Sequence, residues 1–324
     1  SIAGSMATMS GIIFFLVLSF LETVLSAPWG LYRTFRIEKK YGFNTTTIGL
    51  WAGDSLKSIV LSFVIGAALI SAGLWIVEAS PSFWWLWVWL FFLAFTVFIM
   101  YVSPYLIEPL FNRFEEVRDA GLEEGIRSIM RKAGITVGRI LKIDASKRTR
   151  HTNAYFTGIG RVKRIVLYDT LMEKLDRDEL LTVLAHETGH WKKKHLLKTL
   201  AGMEAITLAA LYISFRLLSE GFPGELFNMP GASFYASVLI LVFIGSIAGF
   251  PLGPLSNFIS RKHEREADEY AVRLSGNPEA MASSLVKLSR DNLSNLHPHP
   301  LYAAFHYSHP PMIERVREIK NMPR

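Results

Sequence analysis

Residues 11–32, 58–78, 82–103, 196–218 and 234–254 are nearly unbroken apolar runs. Each is close to the roughly 20 helical residues that cross a hydrocarbon core about 30 Å thick. Five membrane spans are therefore expected. The first contains Glu22, and because no basic residue precedes it the run lacks the form of a signal peptide. A carboxylate inside a span can mark an ion path, but packing against a polar partner is the simpler reading of Glu22. The second and third runs are joined by "EASPS", short enough only for a hairpin, and Trp75, Trp84, Trp85, Trp87 and Trp89 crowd around it. Such rings favour the membrane–water boundary.

Between the spans the pattern changes. Residues 114–134, "FEEVRDAGLEEGIRSIMRKAG", have helical periodicity ending at Gly134, whereas "RILKIDAS" and "KRIVLYD" suit strands. The polar "KRTRHTNAYFTGIGRV" between them suits an edge or loop. "LDRDELLTVLAHETGHW" predicts a helix with Asp176 as cap, Glu179 at the capping-box position and Leu175 with Leu180 as staple. A helix through "SRKHEREADEYAVRLS" should stop at Gly276-Asn277-Pro278. These boundaries divide the chain into a membrane region (1–103), a soluble insert (104–195), a transmembrane hairpin (196–254) and a second soluble part (255–324).

Charge adds an orientation. Lys and Arg exceed Asp and Glu by 7, and 33 of the 35 basic residues lie in 33–57, 104–195 and 255–324. The other two, Lys198 and Arg216, sit at the ends of the fourth run. Five crossings place those three basic regions on one side, which the positive-inside rule makes the cytoplasm. The basic excess thus reads as topology, and no nucleic-acid partner is expected. The chain has no cysteine. Disulfides and cysteine-based metal or nucleophile chemistry are excluded, and any metal must be held by His, Asp or Glu.

The candidate chemistry lies in "HETGH". His186 and His190 share a helix face and can offer ring nitrogens to one ion, with Glu187 near the same face. A zinc ion there would bring the pKa of its water toward about 7, and Glu187 would take the proton. A catalytic zinc needs a third protein ligand. The metzincin spacing fails, because position 193 is Lys and position 196 is Leu. His195 is one place out of that register and reads as an interfacial polar residue. Downstream, "NFISRKHEREADEY" offers His263, Glu264, Glu266, Asp268 and Glu269. Glu264 and Asp268 share a face, suiting one carboxylate on the metal and one orienting a histidine ligand. Glu266 points roughly opposite and reads as a solvated charge.

"LAHETGHW", "NFISRKHEREAD", "TNAYFTG", "KRIVLYDTL" and "YSHPPMIERV", with "FRIEKKYGFNTTTIGLWAGDSLK" and "YLIEPLFNRFEEV", resemble in order the type-I CAAX prenyl endopeptidases. These are integral-membrane zinc proteases that remove the C-terminal tripeptide of prenylated proteins. The resemblance implies one zinc on His186, His190 and Glu264, Glu187 as general base, and Asp268 behind a ligand histidine. It implies that Asn153, Ala154 and Tyr155 lie along an edge strand that pairs with substrate backbone. His309 and Arg315 match positions lining the substrate cleft, where a donor could stabilise developing negative charge. The expected fold class is mainly α, a multi-span helical membrane protein with a gluzincin-type α+β zinc-protease domain on the cytoplasmic side. The implied partners are a peptide or protein substrate, prenylated in this family, and the lipid bilayer. The membrane would be the inner one in a bacterium and of endoplasmic-reticulum type in a eukaryote. The family carries seven spans against five counted, so residues 1–9 read as a truncated or processed start. HtpX-like quality-control proteases share the zinc motif and the later glutamate, but "TNAYF" and "SHPPMIER" favour the prenyl-protease branch. A non-catalytic membrane scaffold is the remaining alternative, and an intact Glu187 argues against it.

Overall fold

The computed structural model describes residues 2–157, 162–229 and 231–322. Helices α1 (Ile2–Tyr32), α2 (Ile48–Ala79) and α3 (Trp84–Leu106) come first, with a π-helical turn, Arg33–Glu38, prolonging α1. The short α4 (Glu108–Phe111) leads to β1 (Phe114–Glu116), α5 (Ala120–Lys132), β2 (Thr136–Ile143), β3 (Ala154–Thr157) and β4 (Val162–Tyr168). Then come α6 (Asp169–Lys174), α7 (Arg177–Lys192), α8 (His195–Ser219), α9 (Phe222–Leu226) and α10 (Phe234–Gly249). The chain closes with α11 (Leu252–Ser275), α12 (Pro278–Asp291), α13 (Pro300–His306) and α14 (Met312–Lys320). Two compact units result, Ser1–Val102 with Leu200–Phe250, and Ser103–Thr199 with Pro251–Arg324.

In the first unit, apolar side chains point outward along the helices, as a lipid solvent requires. Among the described residues four helices are long and apolar enough to cross a membrane, Thr8–Glu38, Ile48–Ala79, Trp84–Phe111 and His195–Ser219. The fifth expected span is not one straight helix. Its residues fall on α10 and the start of α11, which meet at a 56° bend and pass as a span only as a pair. Pro251 stands at the break, where its missing N–H cannot continue the helix. Glu22 lines a groove between α1 and α2 with Ser19, Thr23, Ser26, Ser58 and Ser62, a polar-walled setting for a carboxylate on an apolar helix.

The second unit carries a four-stranded sheet in the order β1-β2-β4-β3. β2 and β4 run parallel, while β1 and β3 are antiparallel edges. Ile126, Met130, Ile165, Leu167, Leu184, Met281 and Ile319 form a sealed core between the sheet and α5, α7, α12 and α14. The helix expected from residue 114 starts only at Ala120. Asp119 accepts a hydrogen bond from Leu122 N at 2.9 Å and caps it, while Phe114–Glu116 pair with Leu141–Ile143 as strand β1. At the other boundaries the pattern reads correctly. Gly276 ends α11 at φ +65, a left-handed conformation cheap for glycine. Asn277 then caps α12, with Pro278 in its first turn.

Candidate metal centre and active site

Helix α7 is fixed at its start by the expected capping box. Asp176 Oδ1 accepts from Glu179 N, and Glu179 Oε2 accepts from Asp176 N, both at 3.0 Å. Glu179 is buried and also accepts from Ser283 Oγ and Lys287 Nζ at 2.7 Å, which anchors α7 to α12. Farther along, Gly189 sets the approach of α11. A Cβ there would lie 2.9 Å from the Ala267 Cα, so only glycine lets the two helices come this close. That contact brings Glu264 and Asp268 of α11 against His186 and His190 of α7.

His186 Nε2 and His190 Nε2 lie 3.1 Å apart. Glu264 Oε2 is 3.4 Å from the first, and Glu264 Oε1 is 3.2 Å from the second. All three ligand atoms fall within 4.8 Å of one another, the one such group among the described residues. A tetrahedral zinc with bonds of about 2.0–2.1 Å spaces its ligand atoms about 3.3 Å apart, so the three side chains fit the ion. Two facing imidazole nitrogens and a buried Glu264 Oε2 without a hydrogen-bond partner form a donor set that suits a shared cation.

Behind this trio, His186 Nδ1 lies 2.7 Å from Asp268 Oδ1. Asp268 in turn accepts two hydrogen bonds from Arg315, Nε to Oδ2 at 2.8 Å and Nη2 to Oδ1 at 2.6 Å. Both partners are buried, and Arg315 Nη2 is also 3.6 Å from Glu264 Oε2. Burial opposes the charged form of His186, but Asp268 and then Glu264 outweigh it and lift the imidazole to about 9. A metal must displace that proton, so its uptake releases acid. Burial likewise opposes the Arg315 charge, and the Asp268 pair more than restores it.

Glu187 opens into a cavity of about 170 Å³ shared with Asn153, Ala154, His186, Glu264, His309 and Arg315. Burial raises its carboxyl above the usual carboxylate range, against the pull of His186 and His190. A base with a raised pKa holds the water proton more firmly near neutral pH. His309 Nε2 is 3.4 Å from Glu264 Oε1, and its Nδ1 contacts Ser308 Oγ at 3.0 Å. The His309 side chain is 60% exposed, at the mouth of the cavity.

Strand β3 ends the sheet beside this cavity. Asn153 and Ala154 line it, whereas the Tyr155 side chain turns away and donates a hydrogen bond to Glu108 at 2.7 Å. Burial and then Glu108 push that phenol's pKa up. His195 and Glu266 are also drawn toward the metal site. His195 is only 3% exposed and touches both His190 and Glu266, so Glu266 is a partly buried partner rather than a freely solvated charge.

The model of the family described as peptidase family M48 matches residues 116–323, a span holding every residue named around this cavity. The chain belongs to peptidase family M48. Its first part, residues 2–113, matches the region described as CAAX prenyl protease N-terminal, five membrane helices. The chain is 35% identical to CAAX prenyl protease 1 of Saccharomyces cerevisiae, over 93% of this chain and 70% of that protein. It is 32% identical to an uncharacterized metalloprotease of Bacillus subtilis, over 94% of this chain and 72% of that one. A crystal structure of S. mikatae Ste24p superposes with a TM-score of 0.89 at 30% identity, covering 97% of this chain and 76% of that chain. This M48 peptidase is therefore an integral-membrane metalloendopeptidase of the CAAX prenyl protease 1 type. Relatives of that type make the HtpX-like reading and the inert scaffold the weaker alternatives.

Proposed function

We propose that this M48 peptidase holds one zinc on His186, His190 and Glu264 and hydrolyses a peptide laid along β3. The mutual spacing of those three ligand atoms carries the reading. Zinc bound there supplies Lewis acidity, polarising a scissile carbonyl and easing deprotonation of a water near neutral pH. Glu187, on the same cavity, takes the proton from that water and hands it to the departing amine nitrogen. His309, at the cavity wall, donates toward the carbonyl oxygen as negative charge builds there. Arg315 lines the same cavity, where the sequence reading puts it, and acts in this scheme through Asp268. Two of its nitrogens are committed to Asp268, so its part is to hold that carboxylate on His186.

The edge strand has the right groups for a peptide. Tyr168 N donates to Asn153 O at 3.1 Å, so by the alternation of an antiparallel ladder Ala154 and Phe156 turn their backbone outward. Ala154 N donates to Asn153 Oδ1 at 2.9 Å, leaving the Asn153 amide to move aside for an incoming strand.

The name of the yeast relative, CAAX prenyl protease 1, suggests a prenylated substrate. Mass spectrometry of products from a farnesylated CAAX peptide and its unprenylated twin tests this. Release of a C-terminal tripeptide from the farnesylated peptide alone is expected. Equal cleavage of both would point to general membrane-protein clearance.

The catalytic unit is proposed to face the cytoplasm, because the basic residues concentrate in 33–57, 104–195 and 255–324. The chain lacks cysteine, so Lys142→Cys and Lys320→Cys each introduce a single label site. Both should react with an impermeant maleimide from the cytoplasmic side only. Reaction from opposite sides would overturn this topology.

A further inference from the structure

The two histidines of the proposed metal site are supported in different ways. His186 has a carboxylate directly behind it, with Asp268 Oδ1 2.7 Å from Nδ1. His190 has another histidine there. His190 Nδ1 lies 3.0 Å from His195 Nδ1, and His195 Nε2 lies 3.1 Å from Glu266 Oε2. The His195 ring is held flat by His263, stacked on it at 4.1 Å with an interplanar angle of 9°.

His195 reaches this place because the helix breaks. α7 ends at Lys192 and α8 begins at His195, with Lys194 between them at φ +58. A lysine rarely adopts that left-handed conformation. In a continuous helix a residue five places after His190 would sit about 140° round the axis, off its face. The break folds the His195 ring back onto His190.

We propose that Glu266 and His195 form a relay that fixes the ring orientation and tautomer of His190 for metal binding, with His263 clamping the middle ring. The inference rests on His190 binding the metal through Nε2, as proposed above. Protons then have one consistent placement. His190 with Nε2 on a metal carries its proton on Nδ1 and must donate. His195 Nδ1 therefore accepts, its own proton sits on Nε2, and Glu266 Oε2 accepts that proton's hydrogen bond. Every link has one donor and one acceptor, and the chain ends on a carboxylate. Negative charge at its far end makes His190 a stronger ligand, as Asp268 does for His186. His195 and Glu266 are positioning residues here, since neither meets the substrate cavity.

Zinc affinity, read by chelator competition on the full-length protein in detergent, tests the relay. Loss of such an outer partner typically costs about 10–100-fold in metal affinity. His195→Ala and Glu266→Ala should each show a loss of that order. The double variant should be no worse than His195→Ala, because Glu266 acts through His195. His195→Gln should recover part of the affinity, since its amide oxygen can still accept. His195 is buried and its loss could disturb packing, so Glu266→Ala is the deciding variant. Its metal-free protein should unfold at the wild-type temperature while its zinc affinity falls. Wild-type zinc affinity in Glu266→Ala, or independent losses that add in the double variant, would overturn the relay. Glu264→Ala runs alongside. If it too leaves zinc affinity unchanged, the metal-site assignment fails and the relay falls with it. If it abolishes binding while Glu266→Ala does not weaken it, the relay alone is wrong.

Discussion

Glu187→Gln should keep its zinc and lose about 10²–10⁴-fold in turnover, the usual contribution of general acid–base catalysis. The substitution preserves size and one hydrogen-bonding oxygen, but an amide does not accept the water's proton. Glu187 is not among the three clustered ligand atoms, so metal content should stay at the wild-type level. Burial holds its carboxyl above the usual carboxylate range, a setting in which a neutral amide costs little. The folded state should therefore be as stable as wild type or slightly more so. Single-turnover cleavage of a fluorogenic peptide, with zinc measured on the same sample, checks both halves. Wild-type turnover in this variant would remove Glu187 as the base.

Asp268→Ala should cost about 3–5 kcal/mol of folding stability in the metal-free protein, because it strands a buried guanidinium. Arg315 and Asp268 are 6% and 2% exposed and share two hydrogen bonds, so water cannot replace the lost partner. Glu264 Oε2, 3.6 Å from Arg315 Nη2, compensates in part, which places the loss at the low end of that range. The same variant should bind zinc more weakly, since His186 loses the carboxylate behind it. A paired replacement separates the two effects. Asp268→Leu with Arg315→Met removes both charges together, and apolar replacement of a buried pair is often neutral for stability. Stability should return in that double variant and zinc affinity should not. Unfolding of the metal-free proteins in detergent, compared with their zinc affinities, reads out both. A fully stable Asp268→Ala would show that the pair carries no such weight.

Much of the second unit could be read from residue pattern, because its elements are punctuated by local chemistry. The Asp176 capping box and the Gly276-Asn277-Pro278 stop act within a few residues, so the sequence states them directly. The i, i+4 histidines and the later Glu264 also stand in the pattern. What escaped depends on how helices meet. Gly189 looks like an ordinary residue of the zinc motif until the Ala267 backbone is seen against it. His195 seemed off the face because nothing in "WKKKH" announces a left-handed lysine. Glu266 lies two places from Glu264, about 200° round an ideal helix, and so seemed to face solvent. It meets His195 there instead. Arg315 could be placed at the site, but its engagement with Asp268 belongs to tertiary packing between α11 and α14. The strand at Phe114–Glu116 was hidden by its acidic, helix-like composition. The bent α10–α11 pair shows the limit of reading spans by hydropathy, which counts apolar residues without sensing the break at Pro251.

Metal analysis of purified wild-type protein beside Glu264→Ala tests the central claim most directly, since Glu264 is the ligand that the α11 approach alone supplies. The account predicts about one zinc per wild-type chain, in a site of three protein ligands, together with loss of bound zinc and of peptide cleavage in Glu264→Ala. Full zinc occupancy and unchanged cleavage in that variant would contradict it.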